Sequence, residues 1–140
     1  MIRGEIKHPG VLAALAGAGH GSKIIITDAH YPVATAIRQG APVIRLALVA
    51  GQPSVPFIAQ RIVSNVPIES AELPKVPDEH LPADVHTELQ GILGDTPVKW
   101  ISRDELYERG RSEDIALCIV SGDTRRFGNL ILTVGVLRDE

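Results

Sequence analysis

Apolar positions along this chain follow two rhythms that take turns. Short, unbroken aliphatic or β-branched runs read as strands: "KIIITDA", "PVIRLALVAG" (42–51), "IESAEL", "PVKWIS", "DIALCIVS" and "NLILTVGVL". Runs this apolar are expected where a strand is covered on both faces. Between them lie segments with helical spacing. "HPGVLAALAGAG" predicts a helix with Pro9 near its first position and glycines at its end. Phe57, Ile58, Ile62 and Val66 recur on one face after Pro56, and Val85, Leu89, Ile92 and Leu93 do so after Pro82. "SRDELYERG" carries a capping box, Ser102 with Glu105, and a stop at Gly110. This alternation predicts an α/β fold: residues 1–140 as a single three-layer domain, with a largely parallel sheet flanked by helices. Whether the last two strands, joined by "GDTRRFG", pair or cross over is left open by the pattern.

The stretch "GAGHGSKIIITDAHYP" (17–32) holds the densest polar chemistry. Its glycines follow a helix and precede a strand, the reverse of a dinucleotide loop, whose glycines must bring phosphate to a helix N-terminus. They are explained as a helix C-cap and tight turn. Asp28 emerges at the carboxyl end of a strand, the edge where open α/β sheets bind ligands, although an aspartate there also suits the cap of a helix or turn. His20 lies before the same strand. At about 3.3 Å per residue, it could stand more than ~20 Å from Asp28 unless the chain curls or a neighbouring subunit supplies one of them.

Charge and composition remove several classes. The net charge of −3 leaves no basic patch for nucleic acid beyond Arg125 and Arg126. Those two could meet an anionic substrate or simply form a solvated loop. No apolar run reaches the ~20 residues that span a bilayer. "MIRGEIKHPGVLAALAGAG" has the outline of a secretory leader, but Glu5, Pro9 and its short apolar stretch oppose that, so a cytoplasmic location is expected. The lone Cys118, inside "IALCIVS", is expected to be buried and inert, which suits a reducing compartment. His20, Asp28 and His30, with His80 and His86 in an acidic and presumed exposed segment, could be assembled into a metal site. No HExxH or paired CxxC supports it, and none is expected. No serine sits in a nucleophile elbow. Histidine acid–base chemistry on a polar, neutral substrate remains.

"GHGSKIIITDAHYP", "ISRDELYERG" and "SGDTRRFGNLILTVGV" resemble, in order and spacing, three blocks of the sugar mutarotase family that contains D-ribose pyranase and L-fucose mutarotase. The resemblance spans nearly the whole chain, and "DAHYP", Arg103 and "YER" lean toward the fucose branch. It implies cofactor-free interconversion of the anomers or ring forms of a monosaccharide, in a cyclic homo-oligomer, a decamer or octamer, whose sites lie close to subunit contacts. His20 matches the family's proton-donating histidine, Asp28 its sugar-binding aspartate, and Arg103 a position that varies between branches. Phe127, Gly128 and Asn129 fall on the substrate-contacting Tyr-x-Asn segment. Phe127 departs from the pattern: it keeps a ring to stack on sugar but lacks the tyrosine hydroxyl. A non-catalytic sugar-binding protein is therefore the alternative reading.

Overall fold

Ile24, Ile25 and Ile26 are wholly buried, as a strand at the centre of a covered sheet must be. In the computed structural model, which describes residues 1–139, they belong to β1 (Lys23–Thr27). The other strands are β2 (Val43–Arg45), β3 (Ile68–Pro74), β4 (Val98–Ile101), β5 (Ile115–Val120) and β6 (Leu130–Val134). They form one sheet in the order β2-β5-β1-β6-β3-β4. β2, β5 and β1 are mutually parallel, as are β3 and β4, and only β6 runs against its neighbours β1 and β3.

Helices cover both faces. α1 (Pro9–Gly17), α3 (Val55–Asn65) and α4 (Asp84–Leu93) pack Val11, Ile58, Ile62, Val85 and Leu89 against Ile24 and Ile26. α2 (Val33–Ala36) and α5 (Arg103–Gly110) pack Ala36 and Leu106 against Ile25 on the other side. The layered α/β architecture with a largely parallel sheet is as the sequence pattern predicts. The capping box of α5 is present in both directions, Ser102 with Glu105.

Two local expectations are corrected. The apolar stretch 42–51 is a strand only over Val43–Arg45, because its partner β5 ends at Val120 and the chain then folds over that end. There the Gly51 N–H donates to the Gly122 carbonyl at 2.6 Å, and a Cβ on Gly122 would lie 2.4 Å from the Gln52 carbonyl oxygen. Phe57 is 51% exposed rather than part of the buried face, since it lies one residue, about 100° of helix turn, from Ile58. Ser54 caps α3, whose buried face is Val55, Ile58, Ala59 and Ile62.

β5 and β6 do not pair; they lie on either side of β1. The connection 121–129 therefore crosses the carboxyl end of β1, which brings its last residues beside Asp28. No helix of the described residues is long and apolar enough to cross a membrane.

Candidate functional site

Five strands point their carboxyl ends at one edge, and Asp28 stands there directly after Thr27. It is 5% exposed. Its backbone N–H donates to Asn129 Oδ1 at 2.9 Å, and Asn129 Nδ2 donates back to Asp28 Oδ2 at 3.2 Å. Asp28 Oδ1 accepts the backbone N–H of His30 at 2.9 Å. The aspartate thus closes a local turn and does not cap a helix; the residue preceding α2 is Pro32. Burial pushes the Asp28 carboxyl above its ordinary range, with the His30 N–H, the His30 ring and the Asn129 amide opposing.

Gly128 makes this approach possible. A Cβ there would sit 3.2 Å from the Arg125 carbonyl oxygen and 3.6 Å from Asp28 Cβ. The residue before it, Phe127, has φ +67°, the left-handed region that bulky residues avoid. What holds it is His86, whose Nε2 donates to the Phe127 carbonyl at 2.7 Å.

Asp28, Arg103, Phe127 and Asn129 line one cleft of about 450 Å³ at this edge. Four of the sequence-derived positions therefore converge, and Gly128 supports them from behind. The cleft has two further walls that sequence reasoning did not single out, Tyr31 and Tyr107. Their rings meet edge to face at 5.4 Å, and Arg103 Nε donates to the Tyr107 hydroxyl at 3.1 Å. Arg103 and Tyr107 are four residues apart on one helix, and that spacing was the available signal. Tyr31 donates to the Ala36 carbonyl at 2.9 Å, a contact that needs Gly110, where a Cβ would lie 2.1 Å from that same oxygen. His30 and Lys75 complete the rim with Arg126.

His20 is elsewhere. It precedes β1 at the opposite edge of the sheet, its side chain 59% exposed, with Nε2 2.9 Å from Glu69 Oε2. One copy of the chain does not bring His20 and Asp28 together. His86 is also not where expected: it is 5% exposed, not on an open surface, and burial holds its imidazole below the ordinary histidine range. Among the described residues no three His, Cys, Asp or Glu side chains gather as a metal-binding group. Cys118 is buried in mid-strand, its thiol pushed up to about 12 by burial. Arg125 is not a solvated loop residue. It grips the buried Asp123 at 2.8 Å and pairs with Glu88 of α4.

This arrangement, a partly aromatic cleft with directional hydrogen-bonding groups at a sheet edge, suits a small polyhydroxylated ligand. The chain matches the model of the RbsD / FucU transport protein family over residues 1–137 and belongs to that family. It is 32% identical to a human protein named fucose mutarotase, over 92% of this chain and 88% of that one. It is 32% identical to a D-ribose pyranase of Symbiobacterium thermophilum, over 87% of this chain and 88% of the other. Its fold is similar to that of RbsD from Bacillus subtilis, solved with D-ribose, at a TM-score of 0.84 and 24% identity, covering 99% of this chain and 100% of that one.

Proposed function

We propose that the protein is a cofactor-free monosaccharide mutarotase, interconverting anomers or ring forms of a sugar such as L-fucose or D-ribose. The observation that carries this reading is the reciprocal Asp28–Asn129 pair at the back of a cleft walled by Phe127 and Arg103, in a chain whose relatives bear mutarotase and pyranase names. Asp28, Arg103 and Asn129 hold sugar hydroxyls, with the charged partners bonding more strongly. Phe127 stacks on the sugar's apolar face while Gly128 keeps the segment close.

The reaction balances without any co-reactant. The anomeric hydroxyl loses its proton as the bond from the ring oxygen to the anomeric carbon breaks, and the ring oxygen gains one. Closure on the other face reverses both transfers. His20 acts as the acid and base, a role worth about 10²–10⁴-fold. Since His20 stands at the far edge of its own sheet, it serves the cleft of a neighbouring copy. That requires a second copy beside it, which a cyclic homo-oligomer, a decamer or octamer assembled in the cytoplasm, would supply. His20 is exposed and, among the described residues, paired only with the half-exposed Glu69, which leaves it available for that contact.

Phe127 supports a second reading, a sugar-binding protein that retains the cleft without proton transfer, because the ring carries no hydroxyl. Saturation-transfer NMR of anomer exchange separates the two. With L-fucose, D-ribose and a panel of neutral monosaccharides, exchange above the buffer rate is expected for at least one sugar. His20→Ala should abolish it with fold and assembly unchanged. Binding without accelerated exchange would establish the second reading instead.

A further inference from the structure

The rim of the cleft is electrically opposite to the chain as a whole. The protein carries a formal charge of −3, yet Lys75, Arg103 and Arg126 all line the cleft against one carboxylate, Asp28. Each Asp28 oxygen already accepts one bond within the chain, from His30 N–H and from Asn129. Among the described residues none of the three cations forms an ion pair; the pairs involving basic side chains here use His20, Lys23, Arg61, Arg109 and Arg125. The adjacent arginines are thereby sorted. Arg125 is neutralised by Asp123 and Glu88, whereas Arg126 lies over the Phe127 ring at 5.4 Å. Arg103 spends only its Nε, on the neutral Tyr107 hydroxyl, so its terminal nitrogens stay unengaged. The exposed Asp104 beside it forms no such pair.

Three unpaired cations from three segments, the end of β3, the start of α5 and the 121–129 connection, converge on one concave site. Such a field concentrates anions and orients them, and an arginine with free terminal nitrogens binds carboxylate or phosphate oxygens in two parallel bonds. A neutral hexose could offer hydroxyls to Arg103 but would bring no charge to match the three cations. We propose that the sugar accepted here is an anionic monosaccharide, with a carboxylate or phosphate remote from its anomeric carbon and held by Lys75, Arg103 and Arg126. This inference rests on the mutarotase reading for the chemistry but on the cleft alone for the binding. The acid group takes no part in ring opening; it fixes which end of the sugar faces Asp28.

The test compares matched sugars on the full-length protein: D-galactose with D-galacturonate, and D-glucose with D-glucose 6-phosphate. Anomer exchange is followed by saturation-transfer NMR and binding by calorimetry. The charged member of one pair should bind and exchange about tenfold or more better than its neutral partner, and the pair that does so tells carboxylate from phosphate. Its advantage should shrink as salt rises from about 50 mM to about 500 mM. In Lys75→Met with Arg126→Gln the charged-to-neutral ratio should fall about tenfold. If neutral sugars exchange and the charged partners gain nothing, the inference is overturned while the mutarotase reading stands. If charged sugars bind in a salt-sensitive manner and no sugar exchanges, the inference stands and the catalytic reading fails. If charged sugars neither bind nor exchange, the inference is overturned whatever the neutral ones do.

Discussion

His86 Nε2 donates a 2.7 Å hydrogen bond to the carbonyl oxygen of Phe127, 41 residues further along the chain. A carbonyl only accepts, so the imidazole must carry its proton on Nε2. Trp100 packs against the same ring at 5.3 Å and confines it. The bond holds Phe127 in a left-handed backbone conformation that its bulk disfavours, and so places the aromatic wall of the cleft.

His86→Leu should therefore destabilise the fold by about 1–3 kcal/mol, by stranding a buried carbonyl, and weaken sugar binding through the misplaced ring. The pH profile gives a sharper check. The folded-state pKa of His86 lies below its ordinary value because burial penalises the cation. The unfolded chain then takes the proton first as pH falls, so this contribution is full above the unfolded pKa near 6.5 and drains away below it. Melting curves of the native protein minus those of His86→Gln, from pH 8 down to pH 5, should show the loss. A flat difference would exclude this role.

Arg125 joins the 121–129 connection to α4 through Glu88 and holds Asp123, which is 2% exposed and also accepts the N–H of Val55 at the start of α3. Burial alone would raise the Asp123 carboxyl, but the Arg125 bonds outweigh it and hold the carboxyl low. Arg125→Met leaves that carboxylate buried without its cation. Breaking such a pair costs about 3–5 kcal/mol when both partners are buried, and about 2 kcal/mol is expected here because Arg125 is partly exposed. Urea denaturation near neutral pH checks it. The loss should fade in acid, where Asp123 becomes protonated in both states.

Phe127→Tyr restores a hydroxyl at the cleft wall. The ring is tilted against His80 at 5.6 Å, and its para position is the only atom that changes. If proton transfer is incomplete without that hydroxyl, exchange should rise by about 10–10²-fold, within the range of a general acid or base, with little change in stability. An unchanged rate would show that this chain does not use a group at that position.

The hydrogen bonds that tie Asp28 to Asn129 explain both what was legible beforehand and what was not. Asp28 lies at the end of an apolar run, so the local pattern marks it as a candidate, and the family resemblance marks Asn129. That they touch depends on β5 and β6 lying on opposite sides of β1, and no local signal encodes strand order. His86 was misjudged for the same reason. Its neighbours in sequence are acidic and polar, yet the Phe127 carbonyl and the Trp100 ring that bury it are distant in the chain. Phe57 failed differently, through a one-residue error in helical phase.

The sequence by itself determined the α/β class, the placement of most elements and the position of Asp28 at the carboxyl end of a strand, and its resemblance to the family's blocks marked Arg103 and Asn129 as candidates. The first three follow from periodicity, capping and residue type, all properties of contiguous segments, and the two candidates from matched motifs. Tertiary structure alone decided that these residues share a cleft, that Arg125 is neutralised while Arg126 is not, and that His20 faces away from Asp28. Each of those outcomes depends on contacts between segments 37 to 101 residues apart or on the two ends of one strand. Strand order and burial set them, and neither is a property of any short stretch of chain.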